Sequence, residues 1–253
     1  MYTDEQLDQL EQEEHSITEE ALIAMLAILG NTQAELEKEL RNFYQKYGKD
    51  GVVTYQEARK WVSSDDHRKR LFVLYLCFQD VFNRTLEYMT PQFETLIRGV
   101  ITKESEFFKV DLDYDKLVDS TWGVDNQNWS NRLTDDVELW LARMINDCKV
   151  NLLQRKNIAQ VLEQLDERFD SMTSVLHTLV QSESTAYGSI ARKEVFKELG
   201  VKKYRFYTRP DERRCEHCGA LHGLIFPISA YEVGVTASPI HPRCRCWEVP
   251  IID

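Results

Sequence analysis

The sequence predicts a mainly α-helical protein, with a multi-helix N-terminal body followed by a small α+β C-terminal module of short strands and a Cys/His cluster of metal-site type. Apolar residues recur at helical spacing from about residue 16 to residue 200. After Gly200 the pattern changes to the alternation of a strand. Five of the six prolines and four of the six cysteines follow this glycine. Such a composition is typical of a compact module of turns and short strands.

Signals for helix starts and ends divide the helical region. Capping boxes, in which a Ser or Thr and a Glu three residues later satisfy first-turn N–H groups, begin at Ser16, Thr32 and Thr54. Gly30-Asn31 has the character of a C-cap, and Thr90-Pro91 that of an N-cap followed by a first-turn proline. We therefore expect helices over 17–30, 33–47, 55–63, 66–89, 91–109, 133–156 and 158–199. The Asp- and Asn-rich stretch 111–131 is predicted to be an ordered loop or short turns.

Composition and motifs exclude several classes of function. The chain has 253 residues, a formal net charge of -11, 43% hydrophobic and 29% charged residues, as expected of a soluble globular protein. We expect no membrane span, and the acidic Met1–Glu5 start differs from a signal peptide, so synthesis in the cytoplasm is expected. Phosphate-binding and dinucleotide-binding glycine loops, the serine-hydrolase elbow and the His-Glu-x-x-His zinc motif are absent.

A Cys/His cluster near the C-terminus carries the clearest chemical signal. Cys215 and Cys218 form a Cys-x-x-Cys turn, and after 22 further residues His241, Cys244 and Cys246 follow. Two thiolates from such a turn can chelate one ion, and ligands from a second loop complete a tetrahedron. The sequence therefore predicts a structural zinc site with four of these five residues as ligands. With no position left for water, such a site supports structure and not catalysis.

The identity of the fourth ligand is open between His241 and Cys246. If residues 244–246 are extended, the two sulfur atoms lie about 6–7 Å apart, which favours His241. Two alternatives to a metal site are a redox Cys-x-x-Cys, which lacks the expected βαβ context, and a metal-free or partly oxidised cluster held by packing.

Other polar residues have a functional and a simpler interpretation. Six basic residues are candidates for contact with nucleic-acid phosphates or form a solvated face: Lys202, Lys203, Arg205, Arg209, Arg213 and Arg214. Glu183 lies in a helical stretch, where an exposed position is the default expectation. Asp211 follows Pro210 and most simply caps the Cys-containing turn. His217 and His222 are expected at the surface or behind the metal ligands.

These residues together resemble the phage head morphogenesis family, the minor head proteins similar to the F protein of phage Mu. The resemblance rests on Glu183, on the run from Gly200 to Phe206, on Asp211-x-x-x-Cys215-x-x-Cys218, and on His241-Pro-x-Cys244-Arg-Cys246. It places Glu183 and Asp211 at motif positions of the family. Gln181 stands where the family's helix motif would have a basic residue.

The resemblance implies a division of the chain and a function. Residues 1–150 would be a helical assembly or portal-docking region, and 151–253 the head morphogenesis domain, with long helices over 151–200 and the Cys/His module over 201–253. The protein would be a non-enzymatic minor capsid protein in the virion, at the portal vertex or capsid interior, acting in head assembly and genome packaging or delivery. Expected partners are the portal protein, with scaffold, major capsid protein and packaged DNA as further candidates. The alternatives are a virion-associated nuclease or transferase and a zinc-ribbon nucleic-acid-binding protein.

Overall fold

Long helices dominate the computed structural model, which describes residues 4–53, 65–209 and 212–252. The described helices are α1 (Asp4–Tyr47), α2 (Asp65–Phe108), the short α3 (Tyr114–Leu117), α4 (Trp129–Leu153) and α5 (Ile158–Glu198). A small α+β module follows, so the predicted fold class is confirmed. The helix predicted over 55–63 and its capping box at Thr54 lie outside the described residues.

The predicted helix end at Gly30 is wrong, because α1 continues through it. Thr32 does not cap a new helix: its hydroxyl donates to the carbonyl oxygen of Ile28 at 3.0 Å and lies 2.7 Å from the hydroxyl of Thr85. Leu29 and Leu36 are buried on the same helix. A glycine inside a helix costs about 1 kcal/mol relative to alanine, and the burial of two leucines offsets that cost.

The predicted break at Thr90-Pro91 is also wrong, because α2 runs across this proline. Proline cannot donate a backbone hydrogen bond in the helix interior. The Thr90 hydroxyl nevertheless donates to the Leu86 carbonyl oxygen at 2.8 Å, a bond typical of a threonine inside a helix. Met89 and Phe93 are fully buried, so packing on both sides of the proline stabilises the helix. Residues 111–128 form short turns and α3, as predicted, but the end of the predicted loop is wrong because α4 begins at Trp129.

The chain forms two compact units, each made of separated segments. The first unit contains Met1–Ile23, Pro91–Arg132 and His177–Asp253, and the second contains Ala24–Thr90 and Leu133–Leu176. Trp140 lies in the core of the second unit, with its ring edge-on to Phe82 at 4.8 Å and to Phe169 at 4.7 Å. Its indole N–H donates to the carbonyl oxygen of Arg168 at 3.1 Å. The division at residue 150 inferred from the family resemblance stays a prediction.

The first unit contains an antiparallel sheet of order β2-β1-β3. Its strands are β1 (Lys203–Thr208), β2 (Ile225–Pro227) and β3 (Cys246–Ile251), and α6 (Glu216–Leu221) lies between β1 and β2 in the chain. One face of β1 is buried through Tyr204 and Phe206. Tyr204 packs into an apolar cluster with Phe196 of α5 and Tyr231, which fixes the sheet against the helix.

A buried ionic network joins α2, α5 and β3 of the first unit. Arg192 of α5 is 5% exposed, and Glu104 and Glu248 are fully buried. The guanidinium donates to Glu104 and, at 3.1 Å, to Glu248. Glu248 also accepts hydrogen bonds from the Tyr231 hydroxyl at 3.0 Å and the Ser238 backbone N–H at 2.7 Å. Its carboxylate is therefore satisfied by neutral donors as well as by the cation.

Glu14 of α1 adds a further carboxyl group to this network. Its Oε2 atom lies 3.9 Å from the Arg192 guanidinium, and its buried Oε1 atom has no hydrogen-bond partner among the described residues. Burial, and then the charge of Glu104, raise the pKa of Glu14 well above its usual value. Burial also raises the pKa of Glu104. One cation therefore faces more carboxyl groups than it can neutralise, which favours a proton on Glu14.

We expect the Glu14→Gln variant to lose less stability than the wild type as pH rises. Because the pKa of Glu14 is higher in the folded than in the unfolded chain, the folded state holds the proton more tightly. The stability that this proton confers is present below the unfolded value of about 4.5 and is lost as pH rises through the folded pKa. Glutamine cannot ionise, so the variant should gain on the order of 1 kcal/mol relative to wild type between pH 5 and 8. Urea unfolding across this range measures the difference. Glu20→Gln, at an exposed glutamate of the same helix, is the control and should show no such pH-dependent gain.

Candidate metal centre

The Cys-x-x-Cys segment forms the start of α6. Cys215 is the N-cap residue, and its sulfur accepts a hydrogen bond from the backbone N–H of Cys218 at 3.3 Å. A Cys at the N-cap can satisfy a first-turn N–H in the same way as a serine, with the next sulfur on the same side of the turn. The second half of the cluster comes from the segment before β3, where Arg243 has a positive φ of 59°.

The described structure brings the sulfur atoms and the His241 ring together. The Nε2 atom of His241 lies 3.3 Å from the Cys215 sulfur and 3.1 Å from the Cys218 sulfur. The sulfur atoms of Cys218 and Cys244 are 3.8 Å apart. With Zn–S bonds of about 2.3 Å, two sulfur ligands of a tetrahedral ion are separated by about 3.8 Å. These distances therefore suit a tetrahedral metal ion.

Two groups of three ligands overlap at one sulfur atom. Cys215, Cys218 and His241 form one group, and Cys218, Cys244 and Cys246 form the other, with ligand atoms no more than 4.8 Å apart in each. The predicted separation of about 6–7 Å between the last two sulfur atoms is wrong. β3 begins only at Cys246, and the chain turns at Arg243, so residues 244–246 are not a regular extended segment. Each of the five candidate ligands belongs to at least one of these groups, which could hold a metal ion.

The orientation of His241 favours it as a ligand. Its Nδ1 atom lies 2.8 Å from the carbonyl oxygen of Pro242. A carbonyl oxygen only accepts, so Nδ1 carries the hydrogen and the lone pair of Nε2 faces the two thiols of Cys215 and Cys218. Metal-binding histidines are commonly fixed in this way by a backbone carbonyl.

Hydrogen bonding makes the cysteines chemically unequal. A hydrogen bond from the Cys246 thiol lowers the pKa of Cys244 to about 6, and the same bond raises the pKa of Cys246 above its ordinary value. The backbone N–H of Cys218 lowers the pKa of Cys215. Burial, by contrast, raises the pKa of Cys218 to about 12. Cys244 thus has thiolate character while Cys246 acts as a hydrogen-bond donor beside it.

The cluster is enclosed by apolar residues and anchored to α5. Phe206 of β1 packs with Cys218, Cys244 and Cys246, all of them buried. The Thr185 hydroxyl of α5 donates to the carbonyl oxygen of Cys244 at 3.1 Å. A metal ion in this position would therefore link α6, the segment before β3 and, through that segment, the long helix.

Glu183 does not lie on an exposed helix face, so the default expectation is wrong. The residue is fully buried, and its carboxylate accepts from the Trp122 indole N–H at 2.9 Å and from the Arg132 guanidinium at 2.8 Å. Arg132 also binds Asp125 through two nitrogen atoms. Burial raises the pKa of Glu183, and the bonds from Trp122 and Arg132 oppose this increase. The charge partner is thus Arg132, not a residue of the same helix. Asp211 lies outside the described residues.

Glu183→Gln is expected to lower the free energy of unfolding by about 1–2 kcal/mol, since a neutral amide weakens charge-assisted hydrogen bonds. Glutamine has one oxygen atom, so either the Trp122 N–H or the Arg132 guanidinium loses its acceptor. Chemical unfolding measures the loss. Tryptophan fluorescence should change as well, because the Trp122 indole loses or weakens its buried bond. Glu163→Gln, at an exposed site of the same helix, is the matched control. If the Glu183 and Glu163 variants were equally stable, the bonds of Glu183 with Trp122 and Arg132 would not stabilise the fold.

The remaining candidate residues have separate positions. Lys202, Lys203 and Arg205 are exposed at β1, as are Arg213 and Arg214 beyond it. Arg209, however, donates to Glu11 of α1 at 2.8 Å. The His222 ring accepts from the Thr208 backbone N–H at 3.2 Å, and His217 is exposed. Sequence reasoning did not predict the buried ion pairs of Arg132 and Arg192. Each arginine lies near apolar positions of a helix, and that pattern was the signal that could have indicated a buried charge.

Comparison with known proteins gives one family. Residues 145–249 match the family model described as Phage Mu protein F like protein. The match confirms the inferred resemblance and contains Glu183 and the whole Cys/His cluster. No curated protein and no solved structure matches the chain. None of the described helices has the length and apolar character needed to cross a membrane. The match covers less than half of the chain and suggests a phage head-related protein.

Proposed function

We propose that this chain, through the domain it shares with the Phage Mu protein F like family, acts as a minor head protein of a tailed bacteriophage. It would work without catalysis at the portal vertex and capsid interior, in head assembly and in genome packaging or delivery. The observation that carries this proposal is the Cys/His cluster inside the matched region, in which Cys218, Cys244 and Cys246 are buried and held by backbone and apolar contacts. A cluster of this kind would stabilise the small module, which could then bind another protein of the head.

Zinc is the ion that we propose for this cluster. Thiolates with one imidazole in tetrahedral arrangement are the ligands that structural zinc prefers. The small sheet has short strands, and a metal ion would stabilise the loops that connect them. Elemental analysis of protein purified under reducing conditions without chelator tests this: about one zinc per chain is expected, and less than about half would count against the site.

The surroundings of Glu183 support a non-enzymatic role. Its carboxylate is fully buried and bound by Trp122 and Arg132, which leaves it no exposed face toward a substrate. His222 accepts a hydrogen bond from the backbone of Thr208, and its ring contacts the Tyr207 ring at 5.0 Å with an interplanar angle of 59°. The two groups therefore have different surroundings and separate structural partners. A nuclease or transferase would need reacting groups that meet in an open site.

Portal binding is the experiment that tests the function. The tagged chain is expressed during infection, captured under reducing conditions, and the bound portal protein is measured by immunoblot. We expect portal protein to co-purify with the wild type. A Cys215→Ser, Cys218→Ser double variant should lose this binding if the zinc module docks, and Cys77→Ser, which replaces a cysteine outside the cluster, should retain it. If wild type captures no portal protein, the portal role is wrong.

Contact with packaged DNA is a second proposed activity of the same protein. It is supported by the exposed positions of Lys202, Lys203 and Arg205 at the start of the module. Neutralised phosphates release counterions, so binding through these residues would weaken strongly as salt rises. A gel shift with Lys203→Ala, Arg205→Ala compared with wild type tests it. Absence of salt-sensitive binding by the wild type would remove both this contact and a zinc-ribbon DNA-binding role.

A further inference from the structure

A groove lined by both polar and apolar residues opens in the first unit. It lies between the loop of residues 111–126, the last turns of α5 and the loop of residues 232–235, and has a volume of about 730 Å³. Leu117 and Ile190 are almost fully buried among its lining residues. A space of this size is too large for a single ion and suits several side chains of a bound segment.

Two exposed valines flank a contact between the loops of this groove. The Val124 side chain is fully exposed, and about half of the Val235 side chain is exposed. Each follows a glycine with positive φ, Gly123 and Gly234, and a Cβ atom on Gly234 would lie 3.4 Å from the Gly123 Cα. The backbones of the two loops are thus in close contact, which fixes the positions of the valines. Exposed apolar residues next to a groove are typical of protein-binding surfaces.

Acidic residues outnumber basic ones around the groove. The carboxylates are Asp111, Asp113, Glu194, Glu198 and Glu232, and the cations are Lys116 and Lys193.

The lysines already have neighbours. Lys116 is 3.0 Å from the Asp113 carboxylate, and Lys193 lies toward the Tyr231 ring. Among the residues that the structure describes, Glu194 is paired with Lys197 at 2.5 Å, whereas Glu198 and Glu232 are exposed and have no cation within ion-pair distance. The groove therefore presents negative charge beside two exposed valines, an arrangement that repels DNA and attracts a basic segment with apolar side chains.

We propose that this groove binds an extended basic segment of a partner protein, with apolar side chains in contact with Val124 and Val235 and lysine or arginine side chains facing the carboxylates. A second copy of this chain fits less well, because each chain has a net charge of -11. The inference does not depend on the portal being the partner, since it follows from the charge and shape of the groove.

The test uses a short fluorescent peptide of alternating lysine and valine, added to the full chain at low and high salt. Fluorescence anisotropy measures affinity, and hydrogen exchange locates the bound peptide. We expect protection within residues 111–126 and 232–235. Glu198→Lys with Glu232→Lys should weaken binding at least about tenfold, as expected when two attractive charges become repulsive. The matched control reverses two exposed carboxylates outside the groove, Glu87→Lys with Glu138→Lys, and should change affinity less than about twofold.

A second pair of measurements tests the apolar part of the groove. Val124→Ser with Val235→Ser should weaken the same peptide about tenfold without changing the charge of the protein. A lysine–serine peptide of equal charge should bind the wild type correspondingly less. The proposal is overturned if the lysine–valine peptide does not bind or protects other residues. It is also overturned if both peptides bind equally or the control variant loses as much affinity as the groove variant. Unfolding midpoints near wild type show that the variants are folded.

Discussion

Replacing Arg192 with methionine is expected to lower the free energy of unfolding by about 3–5 kcal/mol, the cost of removing one partner from a buried ion pair. Methionine fills much of the same volume but leaves Glu104 and Glu248 without their cation. Both carboxylates are fully buried, so water cannot replace the lost interaction. The resulting loss should grow as pH rises, because unpaired buried carboxylates are least unfavourable when protonated.

Urea unfolding of the wild type and the Arg192 variant at several pH values gives this free energy. Arg143→Met, at an exposed arginine, is the control and should stay within about 0.5 kcal/mol of wild type. Glu104→Gln in the Arg192→Met background should recover part of the loss, because it removes one of the stranded charges. A loss below about 1 kcal/mol for Arg192→Met would mean that the network does not stabilise the fold.

The fold class was predictable from sequence because helical periodicity and clustered prolines are properties of neighbouring residues. Helix boundaries were less predictable, because a Thr hydroxyl can either cap a helix or bond within one. Thr32 bonds to the Ile28 carbonyl and to Thr85, and the latter partner is far away in the sequence. Thr90 and Pro91 likewise lie inside one helix, where Met89 and Phe93 are fully buried. Tertiary packing therefore determined whether each threonine caps a helix or lies inside one.

The candidate site shows the same contrast. The five candidate ligands of the Cys/His cluster were visible because Cys215 and Cys218 are close in the sequence, as are His241, Cys244 and Cys246; the short distance between the last two sulfur atoms was not visible, since it depends on the turn at Arg243. The pairing of Glu183 with Arg132 was not visible, since 51 residues separate the two positions and no periodicity relates them. The Arg192 network has the same origin: its carboxylates come from α2 and β3. Candidate ligands that are close in the sequence can be recognised from it. Ion pairs between distant residues can be recognised only once the packing of the helices and strands is known.

Replacing Cys218 with serine is expected to abolish zinc binding and to unfold the module around the cluster. The Cys218 sulfur belongs to both groups of candidate ligands, so no alternative set of four can omit it without losing a short contact. Structural zinc contributes on the order of 10–16 kcal/mol of binding free energy in small zinc modules, enough to decide whether such a module folds. Zinc content and near-ultraviolet circular dichroism measure the effect. Cys148→Ser, outside the cluster, should retain the metal.

Comparing His241→Ala with Cys246→Ser identifies the fourth ligand. The imidazole presents its Nε2 lone pair to two thiols, whereas the Cys246 thiol donates a hydrogen bond to Cys244, so we expect His241 to bind zinc and Cys246 to support a ligand. Cys246→Ser should then retain about one zinc, with affinity lowered about 10–100-fold or less, since serine can still donate to Cys244. His241→Ala should lose much more affinity in competition with a chelator. The opposite order of affinities would assign Cys246 as the ligand and make His241 the supporting residue. A tetrahedral site has four positions, and Cys215, Cys218 and Cys244 would occupy three of them in either case.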